Sequence, residues 1–294
     1  MNAAFTWNLV NDIREMWSHP FMVNAFRAGT VVAILAALVG WFMVLRRQSF
    51  AGHTLALVGF PGAAAAVWLG IGAATGYFAF CVIAALVIAA LPAVGQRGHS
   101  EESAVIGTVQ AFALAAGMLF VALYGGFLNG INALLFGSFI GISSVQVTTL
   151  AAVAVAVLAV LAGLGRPLLF TSIDSDVARA NGVPARLLAT VFLVLLGATA
   201  AEVSQITGAL LVFALLVLPP ATAQRLSARP AVSIPLSVVL ALVTVWLSLF
   251  IAYYSPYPIG FWLTTIGFGM YALTYLPTPG LRRAPRTAVA EGAA

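Results

Sequence analysis

The stretch GTVVAILAALVGWFMVLRR, Gly29 to Arg47, decides the class of this protein. Gly29 to Leu45 carries no charge and ends abruptly at Arg46 and Arg47. An uncharged run of that length matches the hydrocarbon thickness of a bilayer, which takes about 20 residues of helix. The same pattern recurs outward from it. Windows of about 20 residues place further spans near Thr54 to Gly70, Tyr77 to Val94, Ala104 to Tyr124, Val145 to Gly165, Leu187 to Ala201, Ile206 to Gln224, Val232 to Tyr253 and Ile259 to Leu276. The expectation is an all-α polytopic membrane protein with about nine transmembrane helices. Arginine falls on alternate connections: Arg97, then Arg166, Arg179 and Arg186, then Arg225 and Arg229, then Arg282, Arg283 and Arg286. Only Arg14 and Arg27, ahead of the first span, break the alternation. The positive-inside rule therefore puts the C-terminus in the cytoplasm and the N-terminal segment outside.

Composition agrees: 62% of residues are apolar and 7% charged, and mean hydropathy is +1.07. The net charge of +5 sits where it meets anionic lipid headgroups, so no nucleic-acid partner is expected. Cys81 is the single cysteine, which rules out a disulfide within the chain and a cysteine metal cluster. Met1 to Val10 lacks the basic and apolar regions of a cleavable signal. Residues 1–28 read as an interfacial amphipathic segment, with Trp7, Trp17, Asp12, Arg14 and Glu15 among apolar positions. Residues 29–277 form the transmembrane domain, and 278–294 a disordered cytoplasmic tail. Gly125 to Gly141 is too short and glycine-rich for two crossings, and is expected to hold an outer loop and half-helix.

Several chemistries are excluded. The chain has no lysine, so no phosphate-binding loop with its lysine exists, and neither a zinc-hydrolase His pair nor a serine-hydrolase elbow is present. It does not read as an enzyme. Transport would draw energy from a separate ATPase or from an ion gradient. Gradient coupling needs ionisable groups at membrane depth, and of eight acidic residues only Glu202 lies there, beside Ser204 and Gln205. Glu202 and Gln205 are pathway candidates; a solvated carboxylate at the outer span end is the alternative for Glu202.

The loop from Arg166 to Arg186 holds a local signal. Thr171-Ser172-Ile173-Asp174-Ser175-Asp176 precedes Val177-Ala178-Arg179-Ala180-Asn181-Gly182-Val183-Pro184. A Ser or Asp takes the first free amides and Gly182 ends the turn, giving a short capped helix. This string between two spans resembles the coupling loop of the metal-ion permeases of ATP-binding cassette importers. Leu45-Arg46-Arg47-Gln48-Ser49-Phe50-Ala51-Gly52, Phe60-Pro61-Gly62, Leu135-Phe136-Gly137-Ser138, Gln205 with Gly208-Ala209-Leu210-Leu211, and Leu218-Pro219-Pro220-Ala221-Thr222-Ala223 follow that family's order from Gly29 to Tyr271. The resemblance implies a multi-pass permease of a prokaryotic plasma membrane. It would act as a homodimer with cytoplasmic ATP-binding subunits and an extracytoplasmic metal-binding protein. Asp174, Asp176, Ala178, Arg179 and Gly182 would form the ATPase-coupling helix.

The resemblance fails at the metal ligands. Where the family reads D-A-L-S-H-x-x-x-P-G, this chain has His53-Thr54-Leu55-Ala56-Leu57-Val58-Gly59-Phe60-Pro61-Gly62. Ligands four apart share a helix face, and here His53 replaces the Asp and Leu57 the His. His53 is the metal candidate, with two copies in a dimer supplying two imidazoles suited to zinc before manganese. A hydrogen-bonded interfacial histidine is its alternative. His99, with Glu101 and Glu102, reads as a solvated residue or an exit site, and His19 as a residue of the outer segment. The expectation is a permease subunit for zinc or manganese as cargo, with no permanently bound cofactor. A permease for a metal chelate or other small solute, a gradient-driven carrier using Glu202, and a non-transporting scaffold are the alternatives.

Overall fold

The computed structural model describes residues 8–91, 99–124, 137, 141–209 and 211–276. Helix α1, Leu9–Ser18, is capped by Asn8, whose side chain accepts from the Asn11 amide. Pro20 opens α2, Pro20–Leu45, at the position where a missing N–H costs nothing. The turn at Arg46-Arg47 is tight enough to hold Arg47 at φ 58, and α3, Ser49–Trp68, returns from it. Then follow α4, Ala73–Ala90, and α5, His99–Tyr124. A capping box of Ser143 and Gln146 starts the long α6, Ser144–Ile173. The short α7, Ser175–Ala180, leads into α8, Ala185–Thr207. Last come α9, Val212–Leu226, α10, Pro230–Tyr254, and α11, Ile259–Leu273.

Among the described residues, seven helices are long and apolar enough to cross a membrane: α2 through α6, α8 and α10. The remaining two expected spans are α9 and α11, each of 15 residues. Such a helix is about 22 Å long, short of the roughly 30 Å hydrocarbon core, so the count of nine does not follow from length. Helix α2 begins nine residues before the expected Gly29. Asn24 and Arg27 lower the hydropathy there without breaking the helix, which continues toward the headgroups. The outer half-helix and the tail lie outside the described residues, as do the side chains of His99, Glu101 and Glu102.

Burial separates an inner set of helices from a lipid-facing set. The apolar window of α3 is 83% buried and those of α2 and α8 67%, against 17% for α5. Phe112 and Met118 of α5 are among the exposed large side chains, as lipid-facing positions should be. Helix α2 packs on α6, α8, α9 and α10, while α3 packs on α4, α5 and α8. Apolar side chains gain little by leaving lipid, so close backbone approach has to supply the attraction. It does so at small residues. A Cβ on Gly62 would strike the Gly76 carbonyl, and one on Gly76 the Gly62 carbonyl, which fixes the α3–α4 crossing. Gly40 seats in the same way on the Leu216 carbonyl of α9.

Polar ties within the bundle add register. The Trp41 indole donates to Ser233 Oγ at 3.0 Å, Ser237 Oγ to the Ala37 carbonyl at 3.2 Å and Gln224 Nε2 to the Trp41 carbonyl at 2.8 Å. These three bonds clamp α2 to α9 and α10.

Candidate functional site

His53 stands in the second turn of α3, half-buried, its ring edge-on to Phe213 of α9 with centroids 4.9 Å apart. Its Nδ1 is buried and has no hydrogen-bond partner. This nitrogen is available as a donor or ligand. One turn further, Leu57 is 8% exposed and offers no ligand on that face. Beside His53, Thr54 donates to Gln110 Oε1 of α5 at 2.8 Å, which holds the start of α3 against its neighbour. Among the described residues no group of three or more His, Cys, Asp or Glu side chains gathers anywhere. Around His53 the described residues therefore offer one imidazole and no closed coordination shell.

Glu202 lies deeper. Its residue is 0% exposed and neither carboxylate oxygen has a hydrogen-bond partner, so the reading as a solvated carboxylate at a span end is corrected. The reason is that α8 continues past Ala201 to Thr207, which carries Glu202 inside the bundle. Desolvating an ionised carboxylate with no partner costs several kcal/mol or more. A proton or a cation has to meet that cost. Ala201 packs in one cluster with Ala63, Tyr77 and Cys81. Ten residues of α3, about 15 Å, separate Ala63 from His53, so Glu202 and His53 sit at different depths. Gln205, one turn beyond Glu202, is half-buried and reaches only the Ala201 carbonyl, at 3.5 Å. Helix α8 ends at Thr207, Gly208 follows at φ 76, and α9 begins four residues later, at Val212, without a side-chain cap. Gly137 tucks against this break, where a Cβ would meet the Ile206 carbonyl and the Gly208 amide. Interrupted helices of this kind expose carbonyl and amide ends inside a membrane bundle.

The third element is the connection between α6 and α8. Asp174 Oδ1 accepts from the amides of Asp176 at 3.1 Å and Val177 at 2.9 Å, so the aspartate caps α7 as its sequence requires. Gly182, at φ 76, closes the other end with its amide on the Arg179 carbonyl. Arg179 pairs with Asp176 at 3.8 Å, but both side chains are exposed, at 58% and 90%, and such a pair adds little stability. Ala178 is 0% exposed and seats α7 against α6 and α8, on which it packs. Val177 of α7 is exposed, as are Ile173 at the end of α6 and Leu187 near the start of α8.

Sequence reasoning missed what joins this loop to the inner helices. Arg46, at the end of α2, donates to Thr171 Oγ1 at 3.4 Å and Ser172 Oγ at 3.3 Å and lies over the Phe192 ring of α8 at 5.3 Å. Arg46 thereby ties the last turn of α6, which leads into α7, to the end of α2 and to α8. Nothing local in the sequence pairs Arg46 with Thr171 and Ser172. Only the fold brings them into contact.

The chain matches the model of the ABC 3 transport family over residues 18–276. It is 24% identical over 273 residues, 92% of each chain, to the manganese transport system membrane protein MntC of Halalkalibacterium halodurans. To the probable metal transport system membrane protein of Treponema pallidum it is 30% identical over 240 residues, 81% of this chain and 88% of that one. The solved structure of PsaBC from Streptococcus pneumoniae in complex with Fab has the same fold: the TM-score is 0.81 at 25% identity, covering 92% of this chain and 96% of the other. An all-helical, multi-pass membrane bundle with this order of motifs and this breadth of match belongs to the ABC 3 transport family.

Proposed function

We propose that this chain is the membrane-spanning permease of an ATP-driven importer for a divalent first-row metal, manganese or zinc. It works as a homodimer, with ATP hydrolysed on separate cytoplasmic subunits and metal delivered by an extracytoplasmic binding protein. Helices α9 and α11 complete nine crossings, and the arginine-rich connections and the C-terminus face the cytoplasm. The observation that carries the reading is α7. It is a capped helix seated by Ala178 with Val177 exposed, and the last turn of α6 that leads into it is tied through Arg46 to α2 and α8. A helix in that position serves as the contact by which closure of an ATPase pair rotates the inner helices between two arrangements. Relatives named for manganese transport support the cargo class, and relatives named for iron widen it.

In this mechanism His53 of each protomer contributes one nitrogen to a transient site. Two nitrogens bind weakly, and weak binding favours release on the far side. Imidazole suits zinc better than manganese, so His53 favours zinc, while the relatives' names favour manganese. A gradient-driven carrier is the second reading, favoured by one observation, the buried and unpartnered carboxylate of Glu202.

Metal uptake into proteoliposomes containing the permease with its ATPase and binding protein tests both, comparing zinc, manganese and iron for the native chain and His53→Ala. Uptake that requires ATP and falls sharply in His53→Ala supports the proposal. Uptake indifferent to His53→Ala removes that residue from the path, and uptake of none of the three metals rejects the cargo assignment.

A further inference from the structure

A groove of ≈ 820 Å³ opens between α1, α2, α6 and α10, away from His53, Glu202 and α7. Its walls are almost wholly apolar, with Trp17 and Phe26 stacked at 6.0 Å on one side and Val243 and Trp246 on the other. Two polar features interrupt them. The Trp246 indole donates to Thr30 Oγ1 at 3.0 Å, pinning α10 to α2 at the groove floor. Arg27 lines the groove as well, is exposed, and makes no hydrogen bond or ion pair among the described residues.

The depth of Arg27 follows from the helix that carries it. Nineteen residues separate it from Arg46, a rise of about 28 Å along α2, close to the thickness of a hydrocarbon core. With Arg46 at one headgroup layer, Arg27 stands at the other. Apart from Arg14 of α1, arginine is otherwise confined to the Arg46 side, and Arg27 departs from that pattern while lining an apolar groove. From Arg27 the groove runs inward past Val31 and along α10 from Phe250 to Val243, two turns of helix toward the membrane centre. A cation at headgroup level above a long apolar slot has the complementarity of one molecule, an anionic phospholipid.

We infer that this groove is a binding site for an anionic phospholipid of the leaflet opposite the Arg46-Arg47 turn, its phosphate on Arg27 and one acyl chain between Phe26 and Trp246. The lipid would wedge α1 against α2 and α10, so that the leaflet's composition bears on how firmly the N-terminal helix is held. A juxtamembrane arginine contributes about fivefold to anionic-lipid preference.

The test is native mass spectrometry of the protein released from vesicles of equal phosphatidylglycerol and phosphatidylcholine. The native chain and Arg27→Lys are expected to retain phosphatidylglycerol about fivefold over phosphatidylcholine, and Arg27→Gln to lose that preference. Val243→Trp, which fills the groove and leaves Arg27 in place, is expected to lower retention of both lipids. The inference is overturned if Arg27→Gln keeps the native lipid ratio, or if Val243→Trp retains as much lipid as the native chain. It is equally overturned if Arg27→Gln leaves lipid untouched and instead weakens docking of a binding protein, which would assign the arginine to a protein interface.

Discussion

The α7 connection and the inner bundle around His53 and Glu202 treat polar groups in opposite ways. In α7 the polar side chains flanking the helix are satisfied by their own neighbours: Asp174 caps two amides and Asn181 donates to the Val177 carbonyl at 2.8 Å. In the inner bundle His53 Nδ1 and both Glu202 oxygens lack partners. A surface that docks a partner must hold its shape alone, so its hydrogen bonds close locally. In the proposed permease His53 is the group whose partner arrives and leaves, and Glu202 carries no cargo. The contrast predicts that α7 variants act on coupling and variants on the His53 face of α3 on affinity.

The largest expected effect is at the seat of α7. Ala178→Arg places a charge at a fully buried position, which costs several kcal/mol, and ATP-dependent uptake should fall more than tenfold while the membrane bundle still assembles. Co-purification of the ATPase subunit measures this directly; a variant that keeps both ATPase binding and uptake would remove α7 from coupling. Next is Leu57→His, which rebuilds a pair of ligands one turn apart on α3. Metal affinity should rise about tenfold and turnover should slow, because tighter binding opposes release. Calorimetric binding and uptake rates separate the two, and unchanged affinity would show that this face does not meet the metal.

Arg46→Met keeps the stem over Phe192 and deletes the hydrogen bonds to Thr171 and Ser172. Uptake per ATP hydrolysed should fall severalfold, with a stability loss of about 1 kcal/mol. Loss of ATPase binding in place of looser coupling would contradict that role. Asp174→Ala removes a helix cap and should cost about 1 kcal/mol of local stability, seen as faster amide exchange across Ser175–Ala180 with little change in the α2 core.

The spans were legible because an apolar run of bilayer length has few other uses, and α7 because a cap and a left-handed glycine are local signals. Asp174 and Gly182 do in the fold what their spacing implied. Depth was not legible in the same way. Glu202 looked like a span-end carboxylate because Ser204 and Gln205 ended the apolar window, yet those side chains turn back onto their own helix: Ser204 Oγ donates to the Ala200 carbonyl at 2.6 Å. Polar residues that bond within their helix do not interrupt it, so hydropathy ended the span too early. Arg27 misplaced the start of α2 because its charge ends the apolar window although the helix runs on through it to Pro20. The contacts across helices, Arg46 on Thr171 or Trp41 on Ser233, carry no local signature.

The source of energy is the point on which the ATP-driven permease and the Glu202 carrier part. Metal uptake by Glu202→Gln, measured in proteoliposomes with ATP inside reach of the ATPase and all ion gradients collapsed by ionophores, addresses it in one experiment. An ATP-driven permease predicts uptake within about twofold of the native chain, since a neutral isostere relieves the burial cost and no proton or ion has to ride on the carboxylate. Uptake that vanishes in Glu202→Gln, or that in the native chain needs a gradient and no ATP, would contradict it.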